Sequence, residues 1–550
     1  MTEPISRTPA PASSAPPTER RPINRWVFWP AAVLIVGFVA FTLIAPDAAE
    51  AGFGAVQASI ISWFNWYYVL IAAFFVAFAL WAAFSRHGRI RLGRDDDEPE
   101  FSFRSWFALL FAAGMGIGLV FWGVAEPLNH FASPRPGVDG TDVELAQAAM
   151  SQTYLHWGVH AWAIYVALGL ALAYAIHRKK RPLSVRWTLE PLFGSKVKGG
   201  LGNVIDVVAL VGTLFGVATS LGLGVLQIGA GLEAAGIAEA NNVTLVAVIA
   251  VISVAVLASV LSGINRGMKW LSNINLALAA FLVVFLLVAG PTQFLLRQFV
   301  QSIGTYLGDF IALSFTVSAF AGAEGEAWQA GWTSFYWGWW IAWAPFVGIF
   351  IARISKGRTV REFVVGVMLV PTIITFLWFS VLGGTAIFTE LYGDGGLVGP
   401  DGAVDTEGSL FAVLGSAPGG AALVLGAILL ISIFFVTSAD SGTLVMGMLA
   451  TGGDPEPRRW VRATFVAVVA LLAIALLLVG GLTALQTASI IAALPFSVVL
   501  LLACAATVVA FRREARAADR AERVELVDEI GEHYGLEADE TVAASERSGT

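Results

Sequence analysis

Three glycines at alternate positions, Gly114, Gly116 and Gly118, interrupt an otherwise apolar run. Each costs a helix roughly 1 kcal/mol of propensity relative to alanine, and none has a side chain to keep a small molecule off the backbone. In a membrane helix such a break frees carbonyls and exposes helix ends, the groups that bind ions and substrates at mid-membrane. The same spacing also serves close helix–helix packing. A second polar island, Phe434-Phe435-Val436-Thr437-Ser438-Ala439-Asp440-Ser441, lies far along the chain. Its adjacent hydroxyls, with carbonyls released by a second break, would make an oxygen-rich pocket for a hard cation such as sodium. Hydroxyls bonded back onto their own helix are the alternative. Asp440 is costly inside a membrane unless solvated or paired, and the basic stretch after it favours a carboxylate at a helix end facing water. His156 and His160 stand one turn apart; a proton relay and hydrogen-bonded packing are both open, with packing preferred.

Most of the 19 tryptophans suit the membrane interface, where indole is comfortable. Two aromatic groups run deeper. Trp157, Trp162 and Tyr165 fall within an arc of roughly 140° at about 100° per residue. Trp337, Trp339, Trp340, Trp343, Phe346 and Phe350 run over several turns, with Trp339, Trp340 and Trp343 on one face. Aromatic faces with no neighbouring carboxylate suit a quaternary ammonium, which has no N–H to donate. A desolvated cation–π contact contributes about 2 kcal/mol at best. Three or four rings therefore offset much of the cost of stripping water from a trimethylammonium group.

Long helices must position these groups. The chain has 550 residues, 57% of them hydrophobic and 13% charged, against about 25% charged in a soluble domain. Lipid offers the backbone no hydrogen bonds, so the apolar stretches must be helices or a closed barrel. Runs of about 20 residues, apolar all round, read as helices rather than alternating barrel strands of about 10. Twelve qualify, near 26–45, 62–84, 105–125, 150–177, 203–232, 244–262, 271–292, 332–354, 362–389, 418–447, 460–480 and 484–511.

Lys and Arg mark cytoplasmic loops. They cluster before the first run (Arg20, Arg21, Arg25), after the second (Arg86, Arg89, Arg91, Arg94), after the fourth (Arg178, Lys179, Lys180, Arg181), and after the sixth, eighth, tenth and twelfth. The segments 46–61, 233–243, 390–417 and 481–483 hold none. The alternation predicts both termini on the cytoplasmic side of a bacterial inner membrane. Residues 293–331 read as an outside connection with an amphipathic helix on the membrane surface. Residues 514–533 read as a short amphipathic helix within an acidic cytoplasmic tail, 513–550, whose end is expected to be disordered. Residues 1–25 read as a disordered cytoplasmic start without the apolar core of a cleavable signal peptide. The single cysteine, Cys504, allows no internal disulfide. No HExxH, GxSxG or Cys/His cluster occurs, so neither an enzyme nor a bound cofactor is expected, and nothing points to nucleic acid.

Over roughly residues 25–512 the chain resembles the betaine/choline/carnitine transporters, most closely the sodium-coupled glycine betaine members. The likeness is carried by GMGIGLVFWGVAEP (114–127), HWGVHAWAIY (156–165), ATSLGLGVLQ (218–227), WTSFYWGWWIAWAPFVGIFIARISKGR (332–358) and FFVTSADSG (434–442). The resemblance implies an all-α polytopic protein with 12 transmembrane helices. Two extra N-terminal helices (26–104) precede a LeuT-like core of two inverted repeats of five helices (105–292 and 332–512). It also implies a homotrimer in the lipid bilayer and uptake of an osmoprotectant by alternating access.

By motif, the resemblance implies an aromatic box of Trp157, Trp162, Tyr165 and Trp340, a path continued by Trp339 and Trp343, and a gate at Phe350. It implies a main sodium site on the carbonyls of Ala112, Met115 and Phe434 and the hydroxyls of Thr437 and Ser438. A second sodium site would use Thr213 and Phe346, but Val217 replaces its second threonine and removes an oxygen ligand. Sodium-independent members carry an arginine in the fifth span; residues 207–232 hold no Arg or Lys, which favours an external cation. Choline-type members carry Asp where this chain has Gly118. A zwitterion such as glycine betaine therefore fits better, its carboxylate against the N–H groups of Gly116 and Gly118. The alternative is a proton-coupled choline importer; an ion channel fits less well with a bulky aromatic constriction.

Overall fold

The computed structural model describes residues 21–114, 116–262 and 265–534, with side chains except at 111–114, 265–269 and 532. Residues 1–20, most of the segment expected to be a disordered start, lie outside this range, as do 535–550 and Met115. The helices are α1 (Arg25–Ile44), α2 (Pro46–Phe84), α3 (Phe103–Gly114), α4 (Ile117–Ala132), α5 (Asp142–Trp157), α6 (Val159–Ala173), the single turn α7 (Glu190–Phe193), α8 (Gly200–Ala234), α9 (Asn242–Ser262), α10 (Asn265–Ala289), α11 (Thr292–Ser314), α12 (Gly322–Gly331), α13 (Thr333–Arg353), α14 (Val360–Tyr392), α15 (Ser409–Ser416), α16 (Gly420–Ala450) and α17 (Arg459–Tyr534). Among the described residues the only extended pairing is two isolated bridges.

Local chemistry explains several starts. Asn24 accepts a hydrogen bond from the Trp26 N–H and caps α1. Thr141 with Glu144, and Thr359 with Glu362, form reciprocal capping boxes that open α5 and α14; each pair satisfies two backbone N–H groups that a helix start leaves unpaired. Pro46 opens α2, where its missing N–H costs nothing. That start lies well before the expected 62, because the Ala-rich stretch from 46 onward propagates helix as readily as the apolar run behind it.

Ten stretches among the described residues are long and apolar enough to cross a membrane, and the chain is a polytopic helical membrane protein. Two differences from the twelve expected runs have local causes. The third run is split between α3 and α4, which end at Gly114 and begin at Ile117 around an extended Gly116 (φ −155°, ψ 179°). The last two runs join in α17, where the non-helical backbone is confined to Gly480 and Gly481. Gly481 has φ 53° and ψ −130°, a conformation that favours glycine.

Three further expectations are corrected. The tail is not a separate amphipathic helix after 513. No Gly or Pro stands between Pro495 and Gly531, so α17 runs on as one helix to Tyr534. The island 434–441 is not unwound: α16 is continuous from Gly420 to Ala450. Asp440 does not simply face water. Its Oδ1 pairs with the Arg462 guanidinium at 3.0 Å, with side chains only 15% and 18% exposed respectively. In the connection 293–331, α11 and α12 are helical as expected, and α12 meets α13 at Trp332.

The buried helices sit in the middle of the bundle. The most apolar windows of α5–α6, α12–α13 and α8 are 89%, 83% and 78% buried, against 28% for α9 and 22% for the window in α10. The outer helices turn Val251, Val254, Phe281 and Val288 outward, as helices facing hydrocarbon do. The central ones carry the aromatic groups.

Candidate functional site

The break between α3 and α4 opens onto a cavity of about 740 Å³, within the range of roughly 300–1,000 Å³ usual for small-molecule sites. Gly116, Ile117, Gly118 and Leu119 line it from the start of α4. The first N–H groups of a helix lack intrahelical partners and carry the positive end of its dipole. A negative group in the cavity would meet that end.

The aromatic wall comes from three helices. Trp157 ends α5, and Trp162 and Tyr165 follow in α6. Between them the backbone turns at Gly158 (φ −96°, ψ −132°), a break that the sequence reading passed over. A Cβ there would meet the Tyr154 carbonyl oxygen at 2.5 Å and the Phe376 ring at 2.7 Å. Trp339, Trp340, Trp343, Phe346 and Phe350 line the cavity from α13. Trp157 and Trp340 meet edge-to-face at 4.9 Å, Tyr165 and Trp340 at 6.2 Å, and Trp162 and Tyr165 at 5.4 Å. Trp339 stacks on Trp340 at 4.6 Å.

The indole N–H groups are already engaged. Trp340 donates to the His156 carbonyl at 2.8 Å, Trp339 to Ser220 at 3.1 Å, Trp343 to the Gly216 carbonyl at 2.6 Å and Trp157 to Glu126 at 2.5 Å. With their donors occupied, these rings offer the cavity π surface. No charged side chain lines it among the described residues. Trp337, grouped with these rings by sequence, packs elsewhere, stacked on His160 at 5.5 Å.

Gly118 is held against the wall: a Cβ on it would lie 2.3 Å from Trp339 Cη2 and 3.2 Å from Trp157 Cη2. A Cβ on Gly116 would meet nothing within 4 Å. Phe434, Thr437, Ser438 and Ser441 of α16 line the same cavity. Thr437 donates back to the carbonyls of Ile433 at 3.0 Å and Phe434 at 3.2 Å, so its oxygen sits among carbonyls without any unwinding. Ala112 lies in the last turn of α3, and Met115 is outside the described residues. Thr213 is not brought to the cavity. Its hydroxyl is buried and donates to the Ala209 carbonyl at 2.7 Å, whereas Phe346 does line the cavity.

The sequence reading missed Glu126, which lies one turn after the aromatic Trp122 in α4 and is fully buried. An intramembrane carboxylate is a functional candidate by default, and that signal was legible. Its Oε1 faces His156 Nδ1 at 2.7 Å and His130 Nε2 at 3.3 Å. Its Oε2 accepts from the Trp157 indole at 2.5 Å and from the Tyr336 hydroxyl. His156 Nε2 in turn lies 3.0 Å from both Gln152 and Thr333 Oγ1. The reading of aromatic faces with no carboxylate nearby is therefore corrected: one stands directly behind Trp157. Glu126, His130 and His156 place potential metal ligands within 4.8 Å of one another, but Oε2 is already taken up by the Trp157 N–H and the Tyr336 O–H, the pattern of a hydrogen-bond hub. His160, by contrast, packs between Trp337 and Phe310. Also unforeseen, Ser272, Asn273 and Asn275 of α10 line the cavity.

A family model described as BCCT, betaine/carnitine/choline family transporter, matches residues 26–516. A glycine betaine transporter of Bacillus subtilis is 43% identical over 500 residues, covering 91% of this chain and 96% of its own length. A betaine/ectoine transporter of Corynebacterium glutamicum is 40% identical over 488 residues, covering 87% and 76%. An uncharacterised transporter of Mycobacterium tuberculosis is 49% identical over 516 residues, covering 93% and 86%.

Proposed function

Because the chain belongs to the betaine/carnitine/choline family of transporters, a transporter and not an enzyme, we propose that it imports glycine betaine or a close quaternary-ammonium zwitterion by sodium symport. The observation that carries the reading is the cavity itself: packed indole and phenol rings, the N-terminus of α4 held against them, and no charged lining among the described residues. The rings suit a trimethylammonium head. The N–H groups at Gly116 and Gly118 suit its carboxylate. The names of relatives at 43% and 40% identity point to the same class of solute.

Sodium would sit where the hydroxyls of Thr437 and Ser438 and the Phe434 carbonyl face the break that follows Ala112. A second site at Thr213 and Phe346 would lack an oxygen ligand where Val217 stands, so one coupling ion is the simpler expectation. For the whole chain we infer twelve crossings, counting α3–α4 as one broken span and α17 as two. On this reading the basic loops and both termini are cytoplasmic, residues 105–292 and 332–512 form the inverted repeats, and the assembly is a trimer that alternates access to the cavity. Osmoprotection is the physiological use this implies.

The proton-coupled choline reading draws on one observation, the buried Glu126–His156 contact at 2.7 Å beside the aromatic wall. Uptake of radiolabelled glycine betaine and choline into proteoliposomes, with sodium and proton gradients imposed separately, separates the two. Sodium-driven betaine uptake, with the sodium dependence lost in Thr437→Ala/Ser438→Ala, is expected. Full-rate uptake in sodium-free buffer under a proton gradient overturns sodium coupling.

A further inference from the structure

The lining of the cavity is neutral among the described residues, yet a fully buried carboxylate stands one ring behind it. We propose that Glu126 is the fixed counter-charge that makes the cavity prefer a cationic head, acting through Trp157 as a positioning residue without touching the solute. The inference rests on the reading of the cavity as a quaternary-ammonium site.

Two geometric facts carry it. First, Trp157 donates its indole N–H to Glu126 Oε2 at 2.5 Å while its ring lines the cavity. A carboxylate at the N–H pushes electron density into the indole, and a more negative ring face attracts a cation more strongly. Second, the same carboxylate fixes the second wall. Its Oε1 holds the His156 ring at 2.7 Å, and the backbone carbonyl of His156 accepts the Trp340 N–H at 2.8 Å. Tyr336 also donates to Oε2, and its ring backs Trp157 at 5.6 Å and Trp340 at 5.8 Å.

The position of the charge matters as much as its sign. A carboxylate in the lining would meet the carboxylate of a zwitterion directly, whereas one behind an indole stands nearest the cationic head that lies on that ring, and Coulomb attraction falls with distance. Two N–H and O–H donors converge on Oε2, as expected of an ionised carboxylate. The titratable groups that contact it are His130 and His156, both on Oε1, and Tyr336 on Oε2.

The test compares glycine betaine with its carbon isostere, 3,3-dimethylbutanoate, which has the same shape and carboxylate but no cationic centre. Full-length protein in proteoliposomes takes up radiolabelled betaine, and each compound competes. Wild type is expected to prefer betaine by about tenfold or more. Glu126→Gln, the neutral isostere, should narrow that ratio by about fivefold or more, raising apparent KM for betaine with Vmax within about twofold. Trp157→Phe keeps a ring but loses the N–H link, and should narrow the ratio in the same direction. A ratio unchanged in both variants, or equal losses for both compounds, overturns the inference and leaves Glu126 a packing residue. If Glu126→Gln does not accumulate in the membrane, the Trp157→Phe ratio decides alone. A wild type with no preference for betaine sinks the betaine reading itself, and the inference with it.

Discussion

Trp340 and Gly118 set the chemistry of the cavity at the residue scale in opposite ways, one by what it supplies and the other by what it lacks. Trp340 meets Trp157 and Tyr165 and is pinned by the His156 carbonyl. Trp340→Leu removes one cation–π contact, worth about 2 kcal/mol when desolvated, and should weaken apparent betaine affinity by roughly 30-fold in a transport assay with the protein still in the membrane. Wild-type affinity in this variant would mean that the ring only packs. Gly118 gives Trp339 room to approach: any Cβ there lands 2.3 Å from the ring. Gly118→Ala should therefore reduce uptake by about tenfold or more, and Gly116→Ala, with open space around its Cβ, should lose less. A reversed order would show that Trp339 moves freely. For the same reason Gly118→Asp cannot simply hand choline a partner; it must first displace Trp339.

At the scale of elements, the two halves of the site use different devices. The α3–α4 pair breaks, while α16 stays whole and offers hydroxyls from its surface. Downstream of those hydroxyls, the Asp440–Arg462 pair ties α16 to α17. Removing one partner strands the other in a poorly hydrated place, which costs about 1–3 kcal/mol. Asp440→Ala and Arg462→Ala should each lower thermal stability in detergent, and the double variant should lose less than the sum, with a coupling on the order of 1 kcal/mol. Additive losses would mean that the contact contributes nothing.

For the whole molecule, the basic-loop alternation predicts which segments face which side. The buried Cys504 can be replaced to give a background free of cysteine. In that background, Asp96→Cys, in the exposed loop after α2, should resist a membrane-impermeant maleimide in intact cells, and Ala403→Cys, in the loop after α14, should react. Labelling of both, or of the reverse set, overturns the inferred orientation. The tail enters at this scale too. Glu514 on the continuation of α17 binds Arg178 at 2.5 Å, Lys179 at 2.8 Å and Tyr174 at 2.7 Å, which joins the last helix to the end of α6. Glu514→Ala should destabilise by about 1–3 kcal/mol, read as a lower melting temperature; an unchanged value would leave this contact a surface ornament.

Composition and the length of the apolar runs determined that this chain is helical and crosses a membrane, because lipid leaves the backbone no other way to satisfy its polar groups. The glycine spacing located the α3–α4 break, since loss of helix propensity is a local property. The aromatic positions marked what would gather, and Trp157, Trp162, Tyr165, Trp339, Trp340, Trp343 and Phe350 do line one cavity. Local rules could not tell that the island at 434–441 stays helical, because a hydroxyl bonded to its own helix and one beside a broken helix have the same sequence. They did not put Asp440 beside Arg462, 22 residues on, or leave Thr213 away from the cavity. They did not place Glu126 behind Trp157, 31 residues away. Those are pairings between helices, and which faces meet is decided by packing many side chains at once, a property of the assembled bundle rather than of any one stretch.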